Sequence, residues 1–297
     1  MKLSLETEAS ILVAAGATLG EGPVWYRETG ELFWVDIEGC RLSSVQPGSL
    51  RQRNWQFDGM VGAVIPTKGK NFILAHEKGL LRFNPVNGKT EPLQLLVNED
   101  PRLRFNDGKC GPDGNLWIGT MDKELAAGAG NLYKIEKNLQ VSTVLSGTSV
   151  SNGMAWTRDH KYYYIDSATF EVWKFDYHPE TAEIYNKEVA IRIPEDHGAA
   201  DGMCIDLEGK LWIAHWGGNC VRRWDPDSGR VIGRISVKAP HVTSCCFGGE
   251  TMNTLYITTA RSGLSKQELE EFPLSGGLFY CELPVQGDTV PYFDLNL

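Results

Sequence analysis

Four short runs of the chain place an oxygen-bearing side chain just ahead of glycine: Glu21-Gly22, Asn106-Asp107-Gly108, Asn152-Gly153 and Asp201-Gly202. Two carboxylates and two amides are hard donors of mixed charge. Gathered at one point they suit Ca²⁺, Mg²⁺ or Mn²⁺, and Zn²⁺ or Fe²⁺ if waters complete the shell. Without a cation, carboxylates buried together repel one another and are costly to desolvate. Each run taken singly also reads as a hairpin turn, since Asn-Gly and Asp-Gly are strong turn dipeptides. Glu21-Gly22-Pro23 is a poor hairpin turn, however. A water-filled channel without an ion is the remaining alternative.

Residues so far apart meet only if the fold repeats. One pattern recurs, a turn residue followed by an apolar-aromatic strand: Gly30–Val35, Gly69–Leu74, Gly114–Ile118, His160–Ile165, Gly209–Ile213 and Asn253–Ile257. Anchored at Leu32, Phe72, Leu116, Tyr162, Leu211 and Leu255, the intervals are 40, 44, 46, 49 and 44 residues. Other short apolar runs flank each anchor, among them Pro23–Trp25, Val172–Phe175, Leu93–Leu96 and Val231–Val237. Four strands per unit of about 40–45 residues is the signature of a β-propeller blade, and helical periodicity is missing. We expect an all-β, six-bladed β-propeller of four-stranded blades around a central channel, one domain over residues 1–297. The Ile11–Ala14 segment should supply the outer strand of the last blade and close the ring.

In such a ring, equivalent positions meet at one height on the axis. Ten or eleven residues before the anchors stand Glu21, Val61 or Gly62, Asn106, Asn152, Asp201, and Ser244 or Cys245. The connections between second and third strands share that face: Asp36–Gly39, His76–Gly79, Met121–Gly130, Asp166–Phe170, His215–Gly218 and Arg261–Ser275. The last contains Ser265–Glu271, which reads as a capping helix. Arg104 and Glu124 should reach the same rim, where loops on a rigid scaffold carry specificity.

Composition narrows the classes further. Hydrophobic residues make up 42% and charged residues 23% of the 297, ordinary for a globular chain. A net charge of −9 with no basic block argues against a nucleic-acid partner, which needs clustered Lys and Arg. No apolar run approaches 18 residues, so no membrane span is expected. Glu6 and Glu8 ahead of a short apolar stretch are the wrong order for a secretory signal, and a cytoplasmic protein is expected. Seven cysteines without a Cys-x-x-Cys pair read as reduced core thiols. No Gly-x-Ser-x-Gly, phosphate-binding loop or His-Glu-x-x-His is present, and His76, His160, His178, His197, His215 and His241 are scattered. His160 and His178 fall in turns; His76 and His215 line the rim or pack in the core.

The runs Gly20–Trp25, Arg104–Lys109, Ser151–Gly153, Asp201–Asp206 and Thr243–Gly249 together resemble the gluconolactonase/regucalcin (senescence marker protein) family, in order and over nearly the whole chain. That resemblance implies a six-bladed propeller, one divalent metal cation (Ca, Zn, Mn, Mg or Fe) in the channel, and hydrolysis of a small-molecule sugar lactone to its aldonic acid. It implies Glu21, Asn152 and Asp201 as metal ligands, and Arg104, Asn106 and Glu124 as residues that hold the sugar. Gluconolactone, xylonolactone and arabinolactone all stay open, although Thr259–Leu264 is similar to bacterial pentonolactonases. The chemistry then assigns Asp201 as the base that takes a proton from the attacking water, with Glu21 a plain ligand. Two other functions stay possible on this scaffold: another metal-dependent ester hydrolase, for which Trp216 and Phe170 would give an apolar rim, and a non-catalytic calcium-binding regulatory propeller.

Overall fold

The computed structural model describes residues 5–93 and 100–295. Strands β1 (Leu5–Glu8) and β2 (Ser10–Val13) come first. They are followed by β3–β6 (Gly20–Tyr26, Glu31–Asp36, Arg41–Gln46, Arg51–Gln56) and β7–β10 (Val61–Pro66, Phe72–His76, Gly79–Phe83, Thr90–Pro92). Next are β11–β14 (Leu103–Cys110, Leu116–Asp122, Gly130–Ile135, Val141–Thr148) and β15–β18 (Ser151–Trp156, Lys161–Asp166, Glu171–His178, Glu183–Arg192). The chain ends with β19–β22 (Ala199–Ile205, Leu211–Trp216, Cys220–Asp225, Arg230–Ser236) and β23–β25 (His241–Gly248, Thr254–Ala260, Leu278–Glu282). Most of the Leu93–Leu96 run lies outside the described residues, and the outer strand seen beside β9 is β10.

The first four groups are separate antiparallel sheets of four strands. The last seven strands, with β1 and β2, form a nine-stranded sheet held together at its middle by the single pair Trp216↔His241. β2 lies antiparallel against β25 at the outer edge. β1, which sequence reasoning left unassigned, adds in parallel to β22. The first strands touch in the order β3, β7, β11, β15, β19, β23 and return to β3, the arrangement of a propeller.

Packing between sheets follows from the second strands, which are buried on both faces along nearly their whole length. All six anchors, Leu32, Phe72, Leu116, Tyr162, Leu211 and Leu255, are fully buried. Aromatic clusters fill the wedges, such as Phe33 against Phe72 at 4.6 Å and Trp117 against Tyr162 at 5.1 Å between ring centres. Each aromatic side chain so buried removes roughly 150–250 Å² from water, a large hydrophobic contribution.

The helix foreseen over Ser265–Glu271 is present as α1 (Lys266–Glu271). Ser265 caps it: its hydroxyl accepts from the Glu268 N–H, while the Glu268 carboxylate accepts from the Ser265 N–H at 2.8 Å. The C-terminal segment crosses the opposite end of the ring. Gly287 bridges to Asp206 and Phe293 to Thr67; Asp288 pairs with Arg158 at 3.1 Å and Asp294 with Lys68 at 2.8 Å. Among the described residues no helix is long and apolar enough to cross a membrane.

Candidate functional site

The oxygen-plus-glycine runs are not turns. Every one lies inside a first strand, and at that point the register to the second strand shifts, as a β-bulge does. The shifts fall between Glu21 and Val24, Val61 and Val64, Phe105 and Gly108, Ser151 and Met154, Ala200 and Met203, and Val242 and Ser244. A bulge re-aims the side chains at its start. The glycines serve close approach: a Cβ on Gly153 would stand 2.8 Å from the Asp201 carbonyl oxygen, and on Gly62 2.4 Å from that of Phe105. First strands therefore meet where they carry the polar residues.

The register gives the six equivalent positions as Glu21, Gly62, Asn106, Asn152, Asp201 and Thr243. Ser244 and Cys245, which the spacing suggests for the last, fall after it because the turn there is longer: Leu255 lies eight residues after its partner Phe247, against six or seven for the other anchors. The Thr243 hydroxyl donates to the Gly20 carbonyl at 2.5 Å, so it faces a neighbouring strand's backbone.

A second polar set was missed by sequence reasoning. Opposite the residue before each site position stand Asp36, His76, Thr120, Asp166, His215 and Thr259, all essentially buried. Each lies four residues after its anchor, a signal that was available in the repeat. Asp166 accepts from the Ser149 and Val150 N–H groups, both at 2.9 Å. Asp36 accepts from Leu19 at 3.0 Å and Thr18 at 3.2 Å. These carboxylates fix the backbone two residues before Asn152 and Glu21. His76 and His215 belong to this buried set and do not line the rim. His215 accepts from the Trp224 indole N–H at 3.2 Å, and burial with the Arg222 charge nearby lowers its imidazole to about 3.

Among the candidate residues, Arg104, Asn106 and Asn152 form one hydrogen-bonded line. Arg104 donates to Asn106 Oδ1 at 2.6 Å, and Asn106 Nδ2 donates to Asn152 Oδ1 at 3.2 Å and to the Ser151 carbonyl at 2.8 Å. Asn106 is a bracket between its neighbours. Asn152 Nδ2 donates to Ser167 Oγ at 2.8 Å, and that hydroxyl donates on to the Ala200 carbonyl at 2.6 Å. Ser167 thus fixes which end of the Asn152 amide is oxygen; it lies in a rim loop where spacing gave no hint of this role.

Glu21 and Asp201 are the buried acids of the site, and neither forms an ion pair among the described residues. Burial, and then the charge of Asp107, push the Glu21 carboxyl up to about 8, against the pull of the Gly22 N–H and Arg104. Burial raises Asp201 well above the usual carboxylate range, with Glu21 and then Asp107 adding to it. Asp201 Oδ1 is buried and accepts no hydrogen bond. Asp107, itself raised by burial, is a third acid beside the pair that sequence reasoning passed over as part of a turn. Half-buried Arg104 feels Glu21, Glu38 and Asp201 as compensating charges. Glu124 is exposed on the β12–β13 loop, its N–H held by Asp122 at 2.7 Å; no described hydrogen bond joins its side chain to Arg104 or Asn106.

No three His, Cys, Asp or Glu side chains gather as a metal group among the described residues. A cation here must use two carboxylates with an amide oxygen. The donor set fits one: two buried acids that form no ion pair among the described residues and are offset only by the Arg104 charge, an orphaned carboxylate oxygen on Asp201, and the neighbouring Asn152 amide oxygen are hard donors of the kind a divalent ion takes.

Past the bulges, later residues of the first strands enclose a cavity of about 210 Å³. Its wall includes Trp25, Met154, Cys204, Cys245 and Phe247, and the tail residues Asp288–Pro291 complete it. Lys109 reaches across to donate to the Met154 and Met203 carbonyls at 2.8 and 2.7 Å. The thiols are free and, apart from Cys40, buried.

Residues 19–261 match the family described as SMP-30/Gluconolactonase/LRE-like region. A Bacillus subtilis (strain 168) protein, YvrE, provisionally described as a sugar lactone lactonase, is 36% identical over 93% of this chain and 95% of its own length. Regucalcin of Xenopus laevis is 33% identical over 88% and 89%. The crystal structure of a calcium-binding protein, regucalcin, from Agrobacterium tumefaciens superposes with a TM-score of 0.94 at 27% identity, covering 99% of this chain and all of the other.

Proposed function

Because the chain belongs to the SMP-30/gluconolactonase/LRE-like family, we propose that it hydrolyses a sugar lactone to the aldonic acid with one divalent cation, on a ring of six blades closed by β2. Glu21, Asn152 and Asp201 would hold the ion. The observation that carries this reading is the pair of buried acids, Glu21 and Asp201, with Asp201 Oδ1 unpartnered. A bound divalent ion would keep both acids ionised and supply Lewis-acid polarisation of the lactone carbonyl.

The chain's own residues do the rest. Asp201 accepts a proton from the water that adds to the carbonyl carbon; the ring C–O bond then breaks, Asp201 returns that proton to the departing ring oxygen, which leaves as a hydroxyl, and the aldonic acid formed ionises to the aldonate. Glu21 stays a ligand. Arg104 would orient sugar hydroxyls and hold the reactive conformer, a role supported by its hydrogen bond to Asn106, which would keep it there. Glu124, out on its loop, is the outermost sugar contact in this reading. Burial of the site keeps bulk water from competing for these donors.

An indicator assay on several aldonolactones and a phenyl ester, with and without chelator, tests the proposal. Lactone turnover lost on chelation and restored by a divalent ion is expected, and Asp201→Asn should abolish it while leaving the fold intact by circular dichroism. An undiminished rate in that variant rejects Asp201 as base. Calcium binding without turnover of any ester would favour the second reading, a calcium-binding regulatory protein, toward which the name of the 27% identical structure points.

A further inference from the structure

An aromatic pair stands at the mouth of this site. Trp216 ends β20 opposite Ala199, two residues before Asp201, and His241 begins β23. Their rings stack with centroids 4.0 Å apart and planes at 14°. His241 Nδ1 lies 2.9 Å from the Ser262 carbonyl oxygen; a carbonyl only accepts, so this nitrogen carries the hydrogen. The Ser262 hydroxyl donates in turn to Glu38 Oε1 at 3.0 Å, and the Glu38 charge acts on Arg104.

The indole also packs against the cluster that contains Leu19, Ile37 and Ala260, and Leu19 is two residues before Glu21. It therefore spans from the strand of Asp201, past β23, toward the strand of Glu21. A line of contacts continues from it through His241, Ser262 and Glu38 to the neighbourhood of Arg104. Gly263 lies beside the pair: a Cβ there would be in ordinary contact, 3.4 Å from the imidazole and 3.8 Å from the indole, and its φ of +80° is what calls for glycine. Both rings are only partly buried. A large aromatic surface is thus held in place at the rim with part of it uncovered.

Resting on the lactonase reading above, we infer that Trp216 is the wall that recognises the sugar ring, and that His241 positions it. A cyclic aldonolactone has a hydroxyl-bearing edge and an apolar C–H face. The edge suits Arg104; the polarised C–H groups suit the negative face of an indole. Ligand pockets commonly combine one such apolar wall with a few fixed polar groups. The class selected is a compact five- or six-membered ring rather than an extended acyl chain.

The test uses the full-length, cation-loaded protein and its W216A, W216F, H241A and H241F variants. Kinetics on five- and six-membered aldonolactones should show KM raised about tenfold in W216A with kcat within about twofold, the loss of one aromatic contact. W216F should recover most of it. H241A should raise KM less, and H241F, which retains a ring to stack on, should restore it. Titration with the matching aldonate should change tryptophan fluorescence saturably in the wild type and not in W216F, a readout that serves even if W216A does not fold. Unchanged KM in W216A, no saturable change in the wild type, or an equal change in W216F overturns the assignment. If the aldonate titrates the Trp216 signal and no lactone is hydrolysed, the wall stands and the lactonase reading falls; if lactones are hydrolysed with KM indifferent to Trp216, the reverse holds.

Discussion

Glu21 and Asp201 show how a site can store a conflict that its ligand resolves. Without a cation, the Glu21 carboxyl sits at about 8 in the folded chain, against a reference near 4.3 once unfolded. Between these values the folded form keeps a proton that the unfolded chain gives up. Stability must then fall as pH rises from about 5 to about 8, by on the order of 4 kcal/mol for this one group. We expect the melting temperature of chelated protein to drop over that range and the drop to disappear with saturating divalent ion. A flat profile in chelator would show that the two acids are not confined together. His215 has the opposite slope: its neutral ring is favoured by burial, so its contribution is lost as pH falls below about 6.5. The two windows overlap between about 4.3 and 6.5, where the slopes oppose each other, so the Glu21 effect is read most cleanly between about pH 6.5 and 8.

At the scale of the element, the bulged first strand and the buried polar residue across from it act as a unit. Asp166 takes two backbone N–H groups just ahead of Asn152, and Asp36 does the same ahead of Glu21. Replacing Asp166 by Ala leaves two part-buried donors without their acceptor, which costs about 1–3 kcal/mol. It should also weaken cation affinity by about tenfold, the scale of second-layer effects at metal sites. Calorimetry for the ion and thermal unfolding would check both; an affinity unchanged in a destabilised variant would show that Asp166 serves folding alone. The repeat made the strands legible, because apolar-aromatic runs at a near-constant interval admit little else. It made Glu21, Asn152 and Asp201 legible too, as in-phase departures from that pattern. Ser167 and Asp107 were not legible: one acts through a hydrogen bond set by loop shape, the other through proximity across the axis. Thr243 was misassigned as Ser244 or Cys245 because the turn between β23 and β24 is longer than its counterparts, and counting back from Leu255 carries that excess into the strand. β1 escaped because Leu5–Glu8 alternates weakly and finds its partner only after β22 exists.

For the whole molecule, the last sheet is completed from the front of the chain. β25 has β2 as its outer neighbour, and the Leu19↔Ala260 bridge ties the beginning of β3 to the end of β24. Deleting residues 1–13 would strip β25 and β22 of their partners and bare two hydrogen-bonding edges. The truncated protein should unfold at lower temperature and associate through those edges, measurable by calorimetry and light scattering. An unaltered melting temperature would mean that the ring holds without its end strands. The clasp joins residues from opposite ends of the sequence, so the native ring forms only after long-range pairing, a slow class of contact.

The C-terminal tail gives the axis a floor. Asp288–Pro291 lie against the far side of the central cavity, held by the ion pair to Arg158 and the bridge from Gly287, and Lys109 bars the shaft above them. Under the proposed hydrolysis, Lys109 would part the site from the tail-lined cavity, so a neutral ring and the anion made from it would share the opening on the Trp216 side. A departing acid would then pass the Arg104 charge before the next guest is admitted.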